Sequence, residues 1–104
     1  MPTRTDMWPP GLLETAAESF KALGHPVRIR MIDMLGSGPA TVTSILEAIG
    51  LPQAVASQHL RKLYLLGLLR RERDGNRILY SLARPEVLQI LGCLEKCLVN
   101  EAGK

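Results

Sequence analysis

Cys93 and Cys97 are the chain's two thiols and stand four residues apart. In a helix this spacing puts them about 40° apart on one face, one turn from each other. Thiolates so placed are soft ligands for a metal or metalloid, but two do not complete a tetrahedral zinc site. A third donor would have to come from Glu86 or from a second chain. The same pair could act as a redox switch: an i,i+4 disulfide inside an intact helix is strained, so oxidation would distort the helix or join two subunits. Or both are small core hydrophobes, a common role of free cysteine. On the helical wheel they fall at the margin of an apolar arc of Val87, Ile90, Leu91, Leu94 and Leu98, with Glu86 between them. Spacing alone leaves all three readings open.

The second chemically suggestive stretch is QAVASQHLRKLYLLGLL, residues 53 to 69. Ser57 and His59 resemble a nucleophile and a base by type. Two helical positions separate them by about 160°, so they cannot pair locally. No phosphate loop or nucleotide-binding fingerprint occurs, and no metal-ligand spacing surrounds His59. The expectation is that the chain is not an enzyme. DNA recognition accounts for the stretch better. A helix lying in a major groove needs small residues where its backbone approaches, and amide or hydroxyl groups that reach base edges. Gln53, Ala54, Ala56, Ser57 and Gln58 meet that need, and His59 suits a base or phosphate contact or a packed surface place. Arg61 and Lys62 can hold phosphates, which sets register without reading sequence. Leu60, Leu63, Leu66 and Val55 are then left to anchor the opposite face.

The elements that must position these groups can be read around them. Residues 1–11, MPTRTDMWPPG, read as a flexible arm. Leu12, Leu13, Ala16, Ala17, Phe20 and Leu23 recur at helical steps, and Gly24 ends that helix. Pro26 opens a second helix, which Gly36 to Pro39 stops. Thr41 or Thr43 caps a short third helix closed by Gly50. Leu51-Pro52 then leads into the quoted helix, a helix-turn-helix plan. Residues 68–73 and 77–82 look extended, and Asp74-Gly75-Asn76 between them is hairpin chemistry. Arg73 and Arg77 flank this turn and, with Asn76, would project from its tip, where a minor groove attracts Arg. Pro85 opens a last helix running to about Val99, followed by a tail of residues 100–104. The fold class expected is mostly α with a small β-hairpin wing: five helices, the hairpin between the fourth and fifth, and one domain over residues 12–99.

Charge supports a polyanionic partner. The net charge of the 104 residues is only +3. Residues 53–84, however, hold seven basic residues against Glu72 and Asp74, a local +5 that leaves the remainder at −2. No apolar run approaches the ~20 residues of a membrane span, and no signal-like segment occurs, so a cytoplasmic protein without membrane contact is expected. A permanent disulfide is disfavoured there. With only one Phe, one Trp and two Tyr, the core must be aliphatic.

The order of these parts resembles the ArsR/SmtB family of winged helix-turn-helix repressors. The likeness rests on Phe20-Lys21-Ala22-Leu23-Gly24-His25-Pro26-Val27-Arg28 at a helix junction and on Gly50 to Leu60 through the turn and recognition helix. Arg73-Asp74-Gly75-Asn76-Arg77 with Tyr80-Ser81-Leu82 completes it in the wing. The resemblance implies a homodimer built on the first and last helices, bound to a palindromic operator on double-stranded DNA and released by a metal, metalloid or oxidant. It maps Ser57, Gln58 and His59 onto DNA-reading positions and His25 onto a polar junction position, read here as a cap or surface residue. It also exposes departures. Thr41-Val42-Thr43 stands where the family's thiol trap resembles Cys-Val-Cys, and hydroxyls do not replace thiolates for a soft metalloid. Arg84, Glu86, Cys97 and Asn100 stand where the family's zinc ligands would, and Arg84 cannot ligate a cation. What remains for a sensor is Cys93 and Cys97, with Glu86 a weak third donor. No cofactor is required, and a soft metal or metalloid is at most an inducer. The alternatives are a sensorless DNA-binding repressor with structural cysteines, or a winged-helix module that binds proteins.

Overall fold

The structure, a computed structural model, describes the backbone of residues 1–102 and the side chains of residues 1–99. After a 3-10 turn at Arg4–Met7, within the segment read as a flexible arm, the chain runs α1 (Leu12–Leu23), α2 (Pro26–Leu35), β1 (Ala40–Thr41), α3 (Val42–Ile49) and α4 (Gln53–Leu65). It continues as β2 (Leu69–Asp74), β3 (Arg77–Leu82) and α5 (Val87–Ala102). The five helices and the hairpin are those expected.

Local chemistry sets several boundaries. Pro26 occupies the first turn of α2, and the preceding His25 caps it: the Val27 N–H donates to His25 Nδ1 at 3.2 Å. Thr41 caps α3 by accepting from the Ser44 N–H at 3.1 Å. The hairpin loop is Gly75-Asn76, with Asp74 paired to Arg77. Gly75 has φ +64°, the left-handed value that the first loop position of a II′ turn requires and that a side chain resists.

Three features depart from the sequence reading. The sheet has three strands, not two. Ala40–Thr41 pairs antiparallel with Tyr80 and Leu79, giving the order β1-β3-β2. A two-residue strand has no periodicity to reveal it. The strand expected from Leu68 begins at Leu69, because Leu68 is used to close the end of α4, its N–H donating to the Leu63 carbonyl at 3.0 Å. The last helix starts at Val87, with Pro85 and Glu86 in the turn before it, and runs to Ala102. Glu86 is therefore not on the helical wheel between the cysteines. Of the expected tail, residues 103 and 104 and the side chains from Asn100 onward lie outside the described residues.

The core sits where α2, α3 and α4 meet the base of the sheet. Met31, Ile32, Ile45, Leu60 and Leu63 are fully buried, joined by Leu35, Leu69, Tyr80 and Val87. Burying each such aliphatic side chain stabilises the fold by roughly 1.5–3 kcal/mol. Gly36 marks a close approach between helices: a Cβ there would lie 3.1 Å from both methyls of Leu88, so the end of α2 seats the root of α5. By contrast α1, whose apolar residues were expected to form a buried face, buries only Ala22 and Leu23. Leu12, Leu13 and Phe20 are exposed.

Candidate nucleic-acid interface

α4 divides sharply by face. Ala56, Leu60 and Leu63 are buried, and Gln53, Ala54, Ser57, Gln58, Arg61 and Lys62 are exposed. Two expectations reverse. Ala56, grouped with the groove-facing residues, is fully buried, and Val55, assigned to the core, is exposed. A small residue suits a close helix–helix contact as well as a close helix–DNA contact, and residue type alone cannot separate the two.

The wing stands beside this exposed face. Gln53 and Ser57 from α4, and Asn76 and Arg77 from the hairpin, line one cleft of about 390 Å³. Thr41 and Thr43, at the start of α3, line its third side. Four of the residues expected to touch DNA, distant in sequence, are thus gathered around one space. Ala54, Gln58, Arg61 and Lys62 do not line it; they continue the exposed face of α4. Thr43 was noted in sequence as a possible cap and for the thiol it lacks, and its place on this cleft had no local signal.

Register resolves the basic residues of the hairpin. Arg73 lies opposite Ile78 and Arg77 opposite Asp74, so Arg73 and Arg77 leave the sheet on opposite faces. Arg77 Nη2 lies 3.3 Å from Asp74 Oδ2, an exposed pair of little energetic weight. Arg71 stacks its guanidinium 4.6 Å from the centre of the Tyr64 ring, which pins the wing to the end of α4.

His59 is turned partly inward. It is half-buried, and the Arg28 Nε–H donates to its Nδ1 at 3.1 Å. Its ring lies against that of His25, centroids 4.5 Å apart. Burial first, then the nearby His25 and Arg28, hold its pKa below the ordinary 6.5. One nitrogen of the expected DNA-reading histidine therefore belongs to α2.

Cys93 and Cys97 are free and both exposed. They are not core hydrophobes of the single chain, as one reading had them. Cys93, with Glu86 and Arg84, lines a groove of about 620 Å³ between α1 and α5, walled by Phe20, Leu23 and Ile90; Cys97 does not reach it. Among the described residues no three His, Cys, Asp or Glu side chains converge as a metal site. Among those residues, too, no helix is long and apolar enough to cross a membrane.

Comparison with known proteins agrees with this geometry. Residues 23–72 match a family model described as a helix-turn-helix domain. An uncharacterized HTH-type transcriptional regulator of Mycobacterium tuberculosis, Rv0081, is 36% identical over 90 residues, covering 86% of this chain and 79% of that protein. Its crystal structure superposes with a TM-score of 0.80 over 91% of this chain and 96% of its own, at 33% identity. The HTH-type transcriptional repressor SmtB of the same organism is 35% identical over 83 residues, 80% of this chain and 62% of SmtB. The homodimeric winged helix-turn-helix DNA-binding domain of Mb0332 from Mycobacterium bovis, described as "a possible ArsR-family transcriptional regulator", has a TM-score of 0.77. It is 28% identical and covers 94% of this chain and 90% of its own.

Proposed function

Because the chain belongs to the ArsR/SmtB family of winged helix-turn-helix transcriptional regulators, we propose that it is a homodimeric repressor that binds a palindromic operator and is released by a thiol-directed signal at Cys93 and Cys97. The observation that carries the DNA part is the shared cleft between α4 and the wing. In this reading α4 enters the major groove. Gln53, Ala54, Ser57 and Gln58 meet base edges, Arg61, Lys62 and the outward side of His59 meet the phosphates, and Arg73, Asn76 and Arg77 carry the wing into the adjoining backbone and minor groove. The exposed apolar residues of α1 and α5 support pairing of two copies through these helices. Two recognition helices so joined would meet half-sites about one helical turn apart.

The thiols supply the signal. A soft metal, a metalloid or an oxidant acting on Cys93 and Cys97 changes the seam between two copies of α5, and with it the distance between recognition helices. A coupling of about 1–3 kcal/mol would weaken DNA binding roughly 5- to 150-fold. Glu86 is a weak candidate for a third ligand, since it shares the groove with Cys93 but precedes the helix. The want of a third converging ligand among the described residues favours one rival, a repressor without a sensor.

The test is a DNA-binding titration of the parent and of the Cys93→Ser/Cys97→Ser double variant, with and without oxidant, arsenite and zinc. Release of the parent but not the variant is expected. Equal behaviour in all conditions leaves a sensorless repressor. Binding to duplex DNA that does not weaken as salt rises would point instead to a protein-binding module, because phosphate contacts release counterions.

A further inference from the structure

Arg28 ties three parts of the molecule together. Its Nη1 donates to the Ala22 carbonyl at the end of α1 (3.4 Å), and its Nε donates to His59 Nδ1 on α4 (3.1 Å). His25, which caps α2, completes the cluster with its ring against His59. We infer that Arg28 and His25 are positioning residues for the recognition helix, acting through a neutral His59, and that a proton taken up by His59 loosens this tie and weakens DNA binding. The inference rests on the reading of α4 as the DNA-reading helix.

The protonation states follow from the partners. A guanidinium has donors only, so His59 Nδ1 must present its lone pair and the ring must be neutral. The backbone N–H of Val27 donates to His25 Nδ1. A proton on His59 Nδ1 removes the acceptor and sets an imidazolium against a guanidinium. Among the described residues, the charged or titratable groups acting on His59 are His25 and Arg28, with no carboxylate to absorb the added charge. Burial, and after it the nearby His25 and Arg28, hold the His59 pKa low. The tie joins α1, whose exposed face is a dimerisation candidate, to the helix that reads the duplex, so its loss frees the recognition helix from the frame that aims it.

Two effects of the proton oppose each other at the DNA. A new cation near phosphates strengthens binding, and a broken tie weakens it. Their contest is visible in the sign of the pH profile. The experiment uses a labelled duplex that the parent selects from a random-sequence pool at pH 7.5, with affinity measured by anisotropy from pH 7.5 to 5.5 at fixed salt. Variants are His59→Gln, which keeps an acceptor but does not titrate, Arg28→Ala and Arg28→Lys. A ¹⁵N NMR titration of the His59 ring is read on the free folded proteins. The parent is expected to lose roughly 5-fold or more in affinity on acidification, His59→Gln to lose clearly less, and Arg28→Ala to bind more weakly at pH 7.5 with a flatter profile. In the NMR titration His59 protonates below 6.5 in the parent, and at higher pH in Arg28→Ala than in the parent. Tighter binding in acid, or the same profile in parent and His59→Gln, overturns the inference, as does a His59 titration indifferent to Arg28. If the parent selects no duplex, the DNA reading falls and takes this inference with it; selection followed by a profile indifferent to His59 sinks this inference alone.

Discussion

α4 and α5 are both amphipathic, but only one is completed by its own chain. α4 brings Ala56, Leu60 and Leu63 to 0% exposure. α5 buries Val87 and leaves Ile90, Leu94, Leu98 and Val99 between 39% and 64% exposed. On α1, Leu13 and Phe20 are as open, at 55% and 63%. A 104-residue domain has little apolar surface to leave in water. The contrast teaches that α4 is completed within its own chain, whereas α1 and α5 leave an apolar face open. The thiols stand on that open side, where in the proposed homodimer a second copy would change their surroundings.

The largest effect that tests this contrast is on folding. Leu60→Ala should cost about 2–5 kcal/mol, because it opens a cavity in a closed core. Leu94→Ala, measured by denaturation at low protein concentration, should cost within about 0.5 kcal/mol of nothing, as surface changes do. Similar costs for the two would erase the distinction. Next comes assembly. Leu94→Glu should leave far-UV circular dichroism unchanged but shift sedimentation from dimer to monomer. Loss of bivalent engagement should then reduce affinity for a two-half-site duplex by roughly 100-fold or more.

A smaller effect sharpens the other side of the comparison. Arg77→Ala should weaken binding across sequences alike and reduce the magnitude of the salt slope by about one, the signature of one lost phosphate contact. An unchanged slope would remove Arg77 from the interface. The smallest effect is on stability against pH. The His59 pKa is lowered in the fold, so between that value and 6.5 the unfolded chain binds more protons. Its contribution is fully present above about pH 6.5 and is lost as pH falls through the lowered value. Denaturation midpoints at pH 7.5, 6.0 and 5.0 should fall more in the parent than in His59→Gln; the reverse order would contradict the shift.

What the sequence made legible depended on how local the signal was. The Thr41 cap, the Pro26 start and the Gly75 turn were readable because each is decided by a few adjacent residues. The face of α4 was readable in outline but not at Ala56 and Val55, where type and spacing fit either side. β1 was hidden because its pairing partner lies some forty residues away. The His25–His59 contact was hidden for the same reason: each histidine alone resembles an isolated surface residue, and only the packing of α2 on α4 brings them together. The exposure of the cysteines could not be settled from a helical wheel, which shows where an apolar arc lies but not which part of it the chain itself covers.

β1 has one more consequence. Thr41 pairs with Leu79 in the sheet and, in the same residue, caps α3. The hairpin and the helix-turn-helix therefore share a rivet and form a single jaw. In the proposed DNA complex, two sites with identical bases under α4 but flanks of different stiffness or minor-groove width would then be held unequally, and the discrimination would cost no added contact.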